Sequence, residues 1–165
     1  MIVICLYSFY WQRPKIRFSS SALIFGVMSA VLLYGIFYLG YVLSPYIVSG
    51  AAHQVGGIYD MGIDTDKRLI FLLLLFVTGP GEEIFWRGFL QNRLMVKYGN
   101  LSGFILTTLI YGSVHIFSLN FMLVMAAFVA GAFWGALYLW KRDLSMVIVS
   151  HSLWSSVIFA IFPVH

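Results

Sequence analysis

The chain has 165 residues, 61% hydrophobic and 18% aromatic but only 10% charged, with a mean hydropathy of +0.92. Soluble domains carry about 25% charged residues, so this composition excludes one. The net charge of +4 calls for no nucleic acid, because the basic residues sit at the ends of apolar runs, where membrane topology places them.

The apolar runs are long and do not alternate, which points to helices rather than a membrane β-barrel. The fold class expected is all-α: a polytopic helical membrane protein of about five transmembrane helices plus a short apolar N-terminal segment. Residues 1–165 read as a single membrane domain with no room for a soluble one, and 69–162 as its core.

Met1 to Trp11 is apolar but too short to span, and it lacks the basic start of a signal peptide. It reads as an interfacial segment, followed by Arg13, Lys15 and Arg17 around Pro14. The first span is expected at about Ala22 to Val48. Ser49 to Asp66 reads as the one real loop, rich in glycine and carrying Asp60, Asp64 and Asp66. Its acids lack calcium-loop spacing, and His53 reads as an ordinary loop histidine. The second span is expected from Leu69 to about Met95, kinked or broken at Gly79-Pro80-Gly81. The third runs from about Leu101 to Phe117, and Asn120 marks a tight turn. The fourth covers Phe121 to Trp140. The fifth follows Lys141-Arg142-Asp143 and ends near Phe162. Cys5 has no second cysteine to pair with. Placing Arg13, Lys15, Arg17, Arg93, Lys97, Lys141 and Arg142 on one side leaves only Lys67 and Arg68 on the other. That asymmetry makes the basic side cytoplasmic.

The second span contains charges that a bilayer resists. Glu82, Glu83 and Arg87 follow the apolar run Leu69 to Val77, and each charge costs roughly 2.5–3.5 kcal/mol at mid-bilayer. Such groups face a protein interior or a wet cavity, and that is a mark of function. Glu83 and Arg87 have the favourable order for an ion pair four residues apart, a structural role that leaves Glu82 as the free carboxylate. If Pro80 opens a new helix, Glu82 feels the positive end of its dipole.

Two more spans add His115 and His151. Counted from the basic ends, Glu82 and His115 lie about 22 Å deep and His151 about 14 Å. Three helices thus bring polar groups to comparable depth. Read together they form an acid–base set: Glu82 as general base, His115 on the same water, and His151 with Ser155 as donors to an oxyanion. His151 and Ser155 share a helix face, as do Tyr111 and His115. No His-Glu-x-x-His zinc motif is present. The metal-free reading is preferred because Glu83 is committed to Arg87, while a divalent metal such as zinc at Glu82, His115 and His151 stays open. Gly131-x-x-x-Gly135 gives the fourth span a small-residue face for close packing, with a homodimer contact as its second use.

Glu82-Glu83-x-x-x-Arg87, Tyr111-x-x-x-His115 and His151-x-x-x-Ser155 resemble the three motifs of the CPBP intramembrane proteases, also called the Abi or CAAX-protease family. The likeness covers about Leu69 to Ser156. It implies hydrolysis of a peptide bond near the C-terminus of a membrane-anchored protein or peptide, possible targets including C-terminal sorting tails. It also implies a multi-pass location in a bacterial inner membrane and a minimal form of the family core. By motif position, Glu82 and His115 are the water-activating pair, His151 is an oxyanion donor, and Glu83 with Arg87 is structural. Two positions depart from the family pattern: Tyr111 stands where Phe is usual, and Ser155 where Asn or Asp is usual. Two rival readings remain: a non-catalytic membrane binding or immunity protein on the same scaffold, which Ser155 favours, and an ion or proton pathway through the Glu/His group.

Overall fold

The computed structural model describes residues 15–164 together with Ser8 and Tyr10. The expected interfacial segment Met1–Trp11 therefore lies mostly outside the described residues. Among them there are helices and no strand. Five helices are long and apolar enough to cross a membrane: α1 Ser20–Tyr46, α3 Lys67–Tyr98, α4 Asn100–Ser118, α5 Phe121–Lys141 and α6 Leu144–Ile161. These match the five spans read from hydropathy. The sixth helix, α2 Ala51–Asp60, lies between α1 and α3.

The central helix is α6. Eleven of the thirteen residues from Leu144 to Ser156 are buried. It starts at Asp143, whose carboxylate accepts from Ser145 N and Met146 N at 2.9 and 3.2 Å. Five serines accompany its apolar residues, which lets neighbouring backbones come close. On α1 the buried stripe is also small: Ala22, Gly26, Ser29, Ala30 and Leu33. A Cβ on Gly26 would lie 2.7 Å from Val149 Cβ, so only glycine admits α6 there.

Two expectations need correction. The first concerns Gly79-Pro80-Gly81: of the kink or break expected there, the break does not occur. Helix α3 runs unbroken through it, because the preceding turn, Leu74–Thr78, widens to π geometry. Proline interrupts a helix through its missing N–H and its clash with the carbonyl four residues back; a wider turn relieves both. Gly79 N reaches back to Leu74 O, and Thr78 is itself helical. The dipole of a newly started helix is therefore not available to Glu82. Gly79 instead serves packing, since a Cβ there would lie 2.5 Å from Ser152 Oγ on α6.

The second is the loop. Ser49–Asp66 was expected to be irregular, yet ten of its residues form α2. Glycine content argued against a helix, but tertiary contacts outweigh that preference. Gly50 takes φ +74° to start α2, Ala51 and Val55 are buried, and Gln54 ties α2 to the start of α5. There Asn120 Nδ2 donates to Gln54 O at 2.8 Å, and Met122 N to Gln54 Oε1 at 3.2 Å. His53 lies on the exposed side of α2. Asp66 caps α3 through Arg68 N at 2.8 Å.

Candidate active site

Adjacent residues on a helix point about 100° apart, so Glu82 and Glu83 have different surroundings. Glu83 is fully buried and meets α6 at His151; Glu82 is half-buried and meets α4 at Tyr111.

Glu83 Oε1 accepts from Arg87 NH1 at 2.8 Å, as the spacing predicted. Arg87, 1% exposed, also donates from NH2 to Gly131 O at 3.1 Å and lies over the rings of Tyr111 and Trp134 at 4.9 and 5.7 Å. One turn further along, Gln91 Nε2 donates to Gly135 O at 2.9 Å. The small residues of α5 thus let α3 side chains reach its carbonyls and α4 rings pack against it. A Cβ on Gly131 would lie 2.8 Å from Tyr111 Cδ1, and one on Gly135 3.0 Å from Phe104. The Gly131 and Gly135 face is taken up inside the bundle.

The sequence did not indicate Glu83's second partner. His151 Nδ1 lies 2.6 Å from the same Oε1. The His151 ring is stacked on Trp134, with centroids 3.7 Å apart and planes 13° apart. Trp134 is held in turn by its Nε1 donating to Ser150 Oγ at 3.2 Å. A carboxylate only accepts, so Nδ1 carries a proton. His151 Nε2 can then donate only when the ring carries a second proton. Sequence reading missed Trp134 and Gln91 as site residues; their one local signal is their register against the small-residue face of α5.

Glu82 is not wholly free either. Its Oε2 accepts from Tyr111 OH at 2.9 Å, which leaves Oε1 for another partner. Tyr111 is buried at 5% exposure, its ring nearly perpendicular to that of Trp86 with centroids 5.0 Å apart. One turn on, His115 Nδ1 is 2.9 Å from Tyr111 O. A carbonyl accepts only, so Nδ1 holds the proton and Nε2 keeps a lone pair. Ser155 is 3% exposed and donates to Ser152 O at 3.3 Å, so its hydrogen is engaged along its own helix.

Glu82, Tyr111, His115, His151 and Ser155 line one cavity of about 380 Å³. Glu83 and Arg87 lie behind its wall. Apart from the acid and the two imidazoles its lining is apolar or hydroxyl-bearing. Among the described residues, no group of three or more His, Cys, Asp or Glu side chains is arranged to hold a metal ion.

Fold and site define a polytopic helical membrane protein in which an acid and two histidines line one cavity, with a buried ion pair behind its wall. The type II CAAX prenyl endopeptidase Rce1-like family matches residues 65–157, more than half of the chain, and the chain belongs to that family. It is a CAAX-type protease, a hydrolase, built as an integral multi-pass membrane protein. No curated protein and no solved structure matches it.

Proposed function

We propose that the chain is a glutamic-type intramembrane endopeptidase that cuts a peptide bond near the C-terminus of a membrane-anchored protein or peptide, using water activated by Glu82 and His115. The observation that carries this reading is that Glu82 and His115 share one cavity and each keeps an uncommitted acceptor. Tyr111 fixes Glu82 through Oε2, leaving Oε1 for the water. His115 is fixed through Nδ1, leaving Nε2. Water oxygen attacks the scissile carbonyl carbon while its proton passes to Glu82. Charge develops on the carbonyl oxygen, and Nε2–H of a doubly protonated His151, balanced by Glu83, donates to it. The C–N bond then breaks and the amine leaves with the proton taken up by Glu82. No step is routed through a metal. The setting proposed is a bacterial inner membrane, with C-terminal sorting tails among the substrates.

The test is capture and comparison. Proteins held by the Glu82→Gln variant are identified, and their C-termini are compared by mass spectrometry with those from cells carrying the unaltered chain. A shortened C-terminus that needs Glu82 is expected; equal shortening with Glu82→Gln would exclude the mechanism. Cleavage that stops on chelation and returns with zinc would replace the metal-free route.

A second reading has one observation in its favour. Ser155 directs its hydroxyl hydrogen at Ser152 O, so the site is short of one oxyanion donor, as in a binding or immunity protein without catalysis. That reading expects full biological effect from a Glu82→Gln, His115→Ala double variant.

A further inference from the structure

The two ends of the bundle differ in charge. Lys15 and Arg17 precede α1, Arg93 and Lys97 end α3, and Lys141 and Arg142 end α5. At the opposite end Lys67 and Arg68 are outnumbered by Asp60, Asp64 and Asp66. The cavity is placed unevenly between these ends. Its floor is at mid-span, formed by Glu82, Trp134 and His151. From there its lining runs away from the basic end on every spanning helix: toward Tyr41 on α1, Leu74 on α3, His115 on α4, Met122 on α5 and Phe159 on α6. His115 is three residues from the end of α4.

The floor is closed on the basic side. Arg87 and Gln91 are 1% and 0% exposed, and both are bonded across to α5 carbonyls. Among the described residues the far side is covered by α2, through Val55, Ile58 and Tyr59, and by Val164, whose N–H donates to Tyr59 OH at 3.1 Å. This cover is short, and its latch to α5 runs through Gln54.

We infer that the cavity opens beneath α2 on the face away from the basic ends. By the positive-inside rule that face is extracytoplasmic, and the substrate is an exported polypeptide whose cleaved stretch lies in the outer half of the bilayer. The stretch around the scissile bond is uncharged, because apart from Glu82, His115 and His151, which act on the bond itself, the lining holds no carboxylate, lysine or arginine, and an unpaired charge in such surroundings is heavily penalised. The inference rests on the protease reading for its substrate, but the direction of access can be measured without cleavage.

The measurement is thiol accessibility in a Cys5→Ser background, in intact spheroplasts, with a membrane-impermeant charged maleimide. Asp64→Cys reports the α2 face and Lys97→Cys the basic face. Thr78→Cys and Leu74→Cys report two cavity positions. Asp64→Cys and at least one cavity variant are expected to react in intact spheroplasts, and Lys97→Cys only after lysis. Cavity thiols that react only after lysis, or not at all, overturn the inference, as does reversed labelling of Asp64→Cys and Lys97→Cys. If the cavity labels from outside but Glu82→Gln still cleaves, the direction of access stands and the catalytic reading fails.

Discussion

Glu83→Gln preserves shape and an acceptor oxygen and removes only charge. In the native protein Glu83 Oε1 contacts Arg87 NH1 at 2.8 Å and His151 Nδ1 at 2.6 Å, with Glu83 and Arg87 0% and 1% exposed. Among the described residues Glu83 Oε2 and Arg87 Nε have no hydrogen-bond partner, so the guanidinium's hydrogen bonds are this carboxylate contact and the one to Gly131 O. Removing one member of a buried pair costs about 3–5 kcal/mol, a large part of a typical stability of about 5–15 kcal/mol. Denaturation in mixed micelles should show that loss. A second effect falls on rate. Without the Glu83 charge the 2.6 Å contact that holds the His151 ring weakens, and with it the placement of Nε2 toward the developing oxyanion. The expected loss is about 10²–10³ in kcat. Arg87→Met separates the two effects: it destabilises comparably but leaves Glu83 on His151, so kcat in the variant that remains folded should fall far less. Both are measured in proteoliposomes, on a substrate found with the Glu82→Gln trap. An unchanged kcat in folded Glu83→Gln would refute the proposed coupling between Glu83 and His151.

Four further outcomes follow from the geometry. Glu82→Gln should abolish cleavage while shifting stability by about 1 kcal/mol or less, because Glu82 is half-buried and outside the ion pair; denaturation curves and product analysis check both halves. Tyr111→Phe removes the 2.9 Å bond to Glu82 and keeps the ring, so kcat should fall about ten- to a hundredfold with KM unchanged. Ser155→Asn places a longer donor at the cavity wall and should raise kcat; a fall with intact stability would argue against an oxyanion role at this position. Gly79→Ala forces a Cβ to within 2.5 Å of Ser152 Oγ, and overpacking there should cost about 1–3 kcal/mol in the same micelle denaturation assay.

What the sequence by itself determined is local in origin. Five spans follow from hydropathy and length, because a bilayer demands about 20 apolar residues per crossing. The Glu83–Arg87 pair follows from helical spacing, and membership of the protease family from motifs within residues 65–157. Depth counting pointed to Glu82, His115 and His151 as one group, and all three line one cavity, although His115 sits near the end of α4. Tertiary structure decided the rest. Tyr111 meets Glu82 across 29 residues of chain, and His151 meets Glu83 across 68; no local period encodes which of two neighbouring glutamates each will reach. The wide turn that carries α3 past Pro80 and the helix formed by Ala51–Asp60 both defy local propensity. Each is held by contacts with distant helices, and those contacts exist only once the bundle has closed around its cavity.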